Sequence, residues 1–187
     1  MTETAGIAGE PILLEAIAAE IESFVGQSGW DSPTTLFALV PTRTLAVDPA
    51  AASILSADGS PLDPEEISPH ALTPIAQDEL PDGPLDEVLA QIGWPQEVVG
   101  CAVSQEILML PPSAEDALDD LAIDEAVTTA ATHPDRREAR LVIAVLRSGR
   151  SAGVLRLRGL DGAGDDLLTG PDLAPNLAGA LAATLAD

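Results

Sequence analysis

Two alternating segments, residues 139–146 and 152–158, restrict the fold of this chain more than any other feature. Apolar residues at every second position predict β-strands, and the odd loop Arg147-Ser148-Gly149 predicts a three-residue hairpin turn with Gly149 in the left-handed conformation. In that register one apolar face carries Leu141, Ile143, Val145, Leu155 and Leu157. The other face, near the open end of the hairpin, carries Arg140, Arg156 and Arg158. An even loop would place arginine on the core side, so the hydrophobic pattern favours the odd loop.

Hydrophobic periodicity and proline or glycine boundaries divide the rest of the chain. The predicted helices cover residues 11–26, 85–92, 113–131 and 173–185. The predicted further strands cover residues 34–40, 44–47 and 98–110. In the first helix the apolar positions extend to Phe24 and Val25, and Gly26 is the expected left-handed cap. Residues 48–84 contain seven prolines and predict an irregular excursion.

This order is helix, two or three strands, helix, two strands, helix. It predicts an α+β fold in which helices pack against an antiparallel sheet of about five strands. A chain of 187 residues suits one domain, residues 1–187, that buries a core without disulfides. Trp30 and Trp94 each follow a glycine at the boundary of an element, and we expect both in the core.

The charge distribution limits the classes of partner. The formal net charge is −23 at pH 7, and the chain has no lysine. Seven of its eight arginines lie in the segment 136–158, which contains one acidic residue, Glu138. Such an acidic protein would repel the phosphate backbone of nucleic acid and an anionic membrane surface. The sequence therefore predicts no nucleic-acid partner and no direct insertion into a membrane.

The sequence also predicts a cytoplasmic location. Cys101 is the single cysteine, which fits a reducing compartment, and the N-terminus lacks the basic start and apolar run of a signal peptide. No stretch approaches the roughly 20 apolar residues of a membrane span.

Few side chains are suited to catalysis. The chain has no lysine or tyrosine, two histidines and one cysteine, and it contains no glycine-rich phosphate loop. Cys101 lies within an apolar strand, where a buried structural thiol is expected. Asp116, Asp120 and Asp124 follow one side of the acidic helix, but an evenly acidic helix face is typically solvated. The sequence predicts no catalytic residue, metal or cofactor and disfavours an enzyme.

Several motifs resemble an uncharacterised actinobacterial protein family of unknown function. They are Gly93-Trp94-Pro95, Leu110-Pro111-Pro112, Arg140–Arg147, Leu155–Arg158 and Leu168–Leu173. The resemblance covers residues 84–187 well and the N-terminal half loosely. It implies an actinobacterial cytoplasmic protein. Genes of that family often stand beside those of PDZ-containing and large integral membrane proteins, which implies a membrane-protein partner. The element order is similar to that of type III secretion chaperones, which bind secreted clients.

These observations predict a non-catalytic module that binds another protein, as an adaptor or a chaperone does. The biological process it serves is not predicted. Its binding residues would be Arg140, Arg156 and Arg158, because guanidinium groups bind carboxylates in bidentate geometry. The alternative function is a binding protein or enzyme for a small anion, phosphate or carboxylate, that uses the same arginines. Internal pairing with the acidic helix, residues 115–125, is a third use of these side chains. A homodimer through the C-terminal leucine helix is compatible with each reading.

Overall fold

The computed structural model describes residues 9–48, 50–51, 63–118, 121–159 and 164–186. Within these residues the chain forms one antiparallel sheet with the strand order β2-β1-β3-β4-β5-β6. The strands are β1 (Thr35–Pro41), β2 (Leu72–Ala76), β3 (Gly100–Met109), β4 (Arg137–Leu146), β5 (Ser151–Leu157) and β6 (Asp166–Gly170). This arrangement confirms the predicted α+β fold, with six strands where about five were expected.

Helices lie on both faces of the sheet. They are α1 (Gly9–Gly26), α2 (Thr42–Ala46), α3 (Leu85–Leu89), α4 (Pro112–Leu118), α5 (Ile123–Thr132) and α6 (Pro175–Thr184). Helix α1 packs on β4 and β5, and α6 packs on the other face against β3, β4 and α3. Each face has its own apolar core, because the central strands alternate side chains between the two layers. Among the described residues, no helix combines the length and apolarity needed to cross a membrane.

The hairpin of β4 and β5 has the predicted register. The amide of Leu146 donates to the carbonyl of Arg150, and Gly149 has φ +85°, as expected for a three-residue turn with a left-handed glycine. Leu141 lies opposite Leu155, and Arg140 lies opposite Arg156. The apolar face and the arginine face are therefore on opposite sides of the sheet, as the alternation predicts.

Three local predictions are wrong. Residues 44–47 are not a strand: Thr42–Ala46 is the short helix α2. The long acidic helix is two helices, α4 and α5, with Asp119 and Asp120 outside the described residues. Gly26 does not adopt the left-handed conformation; Gly29 does, with φ +85°. In each case the local pattern was ambiguous, because short windows of sequence define the ends of elements poorly.

The two edge strands, β2 and β6, are absent from the sequence prediction. β2 lies inside the proline-rich excursion at residues 48–84, of which residues 49 and 52–62 lie outside the described residues. β6 follows a glycine- and aspartate-rich segment that predicts a turn. Both strands are five residues long, so their period-two signal is short.

Gly100 of β3 offers a test of the central packing. A Cβ at Gly100 would lie 2.5 Å from the backbone carbonyl oxygen of Val145, which the paired strand cannot easily move. We expect Gly100→Ala to lower the free energy of unfolding by about 1–3 kcal/mol. Gly179→Ala in α6 is the control, since nothing lies within 4 Å of its added Cβ and alanine favours helix. Urea unfolding of both variants measures the difference, and equal stability would contradict this packing.

Candidate functional site

A row of charged side chains crosses the face of the sheet that α1 covers. The strand register places Glu106 of β3 opposite Arg140 of β4, and Arg140 opposite Arg156 of β5. Glu22, about one turn before the C-terminal end of α1, lies against this row. These four residues are called the Glu22 network below.

Glu22 binds both arginines. Its Oε1 atom lies 3.3 Å from Arg140 Nη1 and 2.6 Å from Arg156 Nε, and its Oε2 atom accepts a hydrogen bond from Arg156 Nη2 at 2.7 Å. The contact with Arg156 is therefore bidentate, the geometry in which guanidinium and carboxylate bind best. The side chains of Glu22 and Arg140 are each only 2% exposed. The network is thus a buried ion cluster, and Arg156 forms its partly exposed edge.

Helical geometry explains why Glu22 is buried. It lies four residues after Ala18 and eight after Leu14, and both of these residues face the core. A carboxylate in such a position is strongly destabilising unless a cation and hydrogen bonds meet it. Arg140 and Arg156 supply both. The network therefore allows α1 to place an acidic residue within its apolar stripe.

The same network holds the connection from α1 to β1. Arg140 Nη2 donates to the carbonyl of Gly29 and, at 3.0 Å, to Glu106 Oε1. Glu106 Oε2 in turn accepts from the amide of Asp31 at 2.8 Å. Two guanidinium groups stack on the Trp30 ring, with their Cζ atoms 4.8 Å (Arg140) and 5.3 Å (Arg158) from its centroid. Trp30 is only partly buried and joins neither apolar core, so the core prediction is wrong for this residue. Its ring makes cation–π contacts instead.

The three predicted binding arginines differ in exposure. The Arg140 side chain is 2% exposed, that of Arg156 is 29% exposed and that of Arg158 is 43% exposed. Arg158 binds Glu138 on the neighbouring strand. Hydrogen bonds to Glu22 and to Glu138 raise the pKa of Arg156 and of Arg158, respectively, so both stay charged.

The carboxylates that meet these arginines are Glu22, Glu106 and Glu138, which lie outside the acidic segment 115–125 that the sequence suggested. Two signals could have identified the acids. Glu22 shares the helical stripe of buried apolar residues in α1, and Glu106 lies opposite Arg140 once β3 and β4 are paired. The second signal needs the long-range register, which the sequence alone does not supply.

A cavity of about 310 Å³ lies beside the network. Arg140 and Arg156 line it together with Gln27 and Trp30, but so do the carboxylates of Glu22 and Asp165. An anion in this cavity would therefore meet acidic side chains as well as arginines that already have partners.

On the opposite face, a second polar group anchors α6. Trp94 Nε1 donates to Thr184 Oγ1 at 3.0 Å. The Arg147 guanidinium donates from Nε to the carbonyl of Val98 at 2.8 Å, from Nη2 to that of Trp94 at 3.1 Å, and from Nη1 to that of Leu185. Arg147 therefore joins the segment before β3 to the C-terminal end of α6, where a cation is favourable.

Cys101 is a buried structural thiol, as predicted. It is 0% exposed and lies within hydrogen-bond range of Thr184 Oγ1 and the carbonyl of Leu181. Burial raises the pKa of Cys101 to about 11. A thiol that stays protonated at neutral pH is a poor nucleophile. Among the described residues, no cluster of three or more histidine, cysteine, aspartate or glutamate side chains could hold a metal ion; Asp120 lies outside them.

Comparison with known proteins identifies the family. The family model described as PPA1309-like protein matches residues 14–186. The chain belongs to the PPA1309-like family. The match includes most of the N-terminal half, where the motif resemblance was loose, and therefore covers α1 from Leu14 onward and the Glu22 network. No curated protein and no solved structure matches this family member.

Loss of the Glu22 charge tests the network. We expect Glu22→Gln to lower the free energy of unfolding by about 3–5 kcal/mol, because two guanidinium groups lose the carboxylate that compensates them. Glu20→Gln is the matched control, since Glu20 is exposed on the same helix; we expect a change of about 0.5 kcal/mol or less. Denaturant unfolding by circular dichroism measures both. Similar losses in the two variants would show that the buried pairing contributes nothing specific.

The raised pKa of Cys101 predicts a pH dependence. The folded state holds the thiol proton more tightly than the unfolded state, whose pKa is near 9.0. The contribution of this group to stability is therefore full below pH 9 and is lost as the pH rises toward 11. We expect wild type to lose about 2–3 kcal/mol more than Cys101→Ala over that interval. Unfolding of both proteins at a series of pH values measures this difference, and parallel profiles would contradict it.

Proposed function

We propose that this PPA1309-like protein is a non-catalytic protein-binding module in the cytoplasm of an actinobacterium. It binds an extended segment of its partner, which adds as a further strand to the edge of the sheet at β6. The motif resemblance implies a membrane-protein partner and the element order implies a secreted client. A cytoplasmic loop of the former and an unfolded stretch of the latter both present such segments. The observation that carries the proposal is the open, apolar edge of β6.

The backbone of β6 presents unpaired groups to solvent. Next to the β4–β5 ladder, the amide of Leu146 donates to the carbonyl of Arg150, and the amide of Arg158 donates to that of Glu138. The backbone N–H and C=O groups of even-numbered residues in β5 therefore point toward β4. The N–H and C=O groups of odd-numbered residues in β5 point the other way, toward β6. Since Leu155 lies opposite Leu168, the backbone N–H and C=O of Leu167 and Thr169 point away from the sheet. Within the described residues, β6 pairs with β5 alone.

The opposite edge strand, β2, is protected against strand addition, whereas β6 is not. Backbone hydrogen bonds join Gln77 to Leu36 and Thr42 to Ala71, so the odd-numbered residues of β2 are the ones bonded to β1. Pro74, which lies opposite Leu39, is even-numbered and its backbone therefore points outward. Proline has no N–H there, and such prolines prevent other chains from pairing with an edge strand. β6 (Asp166–Gly170) contains no proline. Of the two edges, β6 is therefore the one suited to strand addition.

Apolar side chains surround the open edge. Leu167 is 47% exposed and Leu168 is 48% exposed, and they lie on opposite faces because successive residues of a strand alternate. Leu167 lies opposite Arg156, so the face that carries the predicted arginines continues to this edge. The hairpin thus supports the proposed surface, while its arginines bind their own carboxylates.

The small-anion alternative has weaker support. The cavity beside Arg140 favours it, and Arg140 Nε is buried without a hydrogen-bond partner among the described residues. Yet Glu22, Glu106 and Glu138 already neutralise the three arginines, and Asp165 adds a further negative charge to the cavity. The negative charges around the cavity therefore disfavour an anion there.

Proline at the open edge tests the proposed surface. We expect Thr169→Pro to remove one outward donor and to weaken binding to the segments that wild type selects from a displayed peptide library by at least about tenfold. A loss of about 1.4 kcal/mol, near one hydrogen bond, corresponds to that change. Ala76→Pro is the matched control, because Ala76 lies at an outward-facing position of the opposite edge strand. Fluorescence anisotropy with the selected peptides measures both variants.

Circular dichroism first establishes that both proline variants fold. If the folded Thr169→Pro variant binds the selected peptides as tightly as wild type, β6 is not the binding edge. If Ala76→Pro weakens binding equally, the effect of proline is not specific to β6. Either result would overturn the proposed surface.

A further inference from the structure

We infer that the segment bound by β6 is antiparallel to it and carries two apolar residues followed by two basic residues. This inference rests on the proposed function and adds the chemistry of the partner. The sheet supplies its direction, because every pair of neighbouring strands is antiparallel. The side chains and charges along β6 supply the order of its residues.

The apolar half of the segment follows from the register. Hydrogen-bonded pairs would form at Leu167 and Thr169, where the backbone faces outward. The residue opposite Leu168 would then occupy a non-hydrogen-bonded pair, in which side chains approach most closely. The next residue of the segment lies opposite Leu167. Apolar residues at these two positions would cover the exposed leucines on the two faces of the sheet.

The basic half follows from the charges at the start of β6. Continuing antiparallel, the next two residues of the segment lie opposite Asp166 and then Asp165. The Asp166 side chain is 71% exposed and shares only a 3.9 Å contact with Arg137. Asp165 is exposed and accepts one hydrogen bond from the amide of Gly159. Opposite charges across neighbouring strands attract, so lysine or arginine fits both positions.

The same charges disfavour a second copy of this chain as the occupant. A two-fold axis at Leu168 would pair β6 with itself and would place Asp166 of one copy opposite Gly170 of the other, so no basic side chain would meet this aspartate. Each chain also carries a net charge of −23, so the two copies repel over the whole surface. A basic segment is attracted by both features.

Two synthetic peptides that differ in charge test this inference. One carries a Val-Val-Lys-Lys run and the other a Val-Val-Glu-Glu run in the same neutral flanking sequence. We expect wild type to bind the lysine peptide at least about tenfold more tightly, since two charged cross-strand pairs change sign. The preference should shrink in about 1 M salt, where charges are screened within about 3 Å. Isothermal titration calorimetry measures both affinities.

Two charge-matched variants separate the local effect from the net charge. We expect the double variant Asp165→Asn/Asp166→Asn to bind the two peptides with affinities within about threefold of each other. The double variant Glu115→Gln/Asp116→Asn is the control. It removes the same charge from exposed positions of α4 and should keep the wild-type preference.

The outcomes distinguish this inference from the proposed function. If wild type binds both peptides equally and Thr169→Pro weakens both, strand addition stands and the basic chemistry is wrong. If both double variants lose the preference equally, the attraction is only to the net charge and the assignment to Asp165 and Asp166 fails. If neither peptide binds, or if sedimentation shows a dimer that Thr169→Pro abolishes, the basic segment is not the occupant.

Discussion

The buried pairing of Glu22 with Arg140 and Arg156 is the interaction on which this part of the structure depends. It joins α1 to β4 and β5, and through Arg140 and Glu106 it also fixes the connection from α1 to β1. Buried ion pairs contribute little net stability compared with apolar contacts, but losing one partner is costly. The network therefore sets the position of α1 on the sheet more than it strengthens the fold.

This pairing changes how the uneven charge of the chain is understood. A cluster of seven arginines on an acidic protein suggests a surface that attracts acidic partners. In the structure, Arg140, Arg156 and Arg158 bind carboxylates of the same chain, and Arg147 binds backbone carbonyls at the end of α6. The arginines thus connect the two helical layers to the hairpin. The proposed partner surface is instead the acidic, apolar edge of β6.

The parts of the fold that depend on local pattern were predictable. The hairpin register followed from the alternation of residues 139–146 and 152–158, and α1 followed from its helical period. The edge strands were not predictable, because Pro74 interrupts β2 and a turn-like segment precedes β6. The arginine cluster was visible in the sequence, but its partner Glu22 is more than a hundred residues away. Only the packing of α1 on the sheet brings the two together.

Site-resolved amide hydrogen exchange by nuclear magnetic resonance, with and without the lysine peptide, tests the central claim most directly. In the free protein we expect the amide of Leu168 to be protected by β5, while those of Leu167 and Thr169 exchange rapidly. The peptide should then protect Leu167 and Thr169. The account is contradicted if these two amides are already protected in the free protein, or if the peptide instead protects the segment around Trp30 and leaves β6 unchanged.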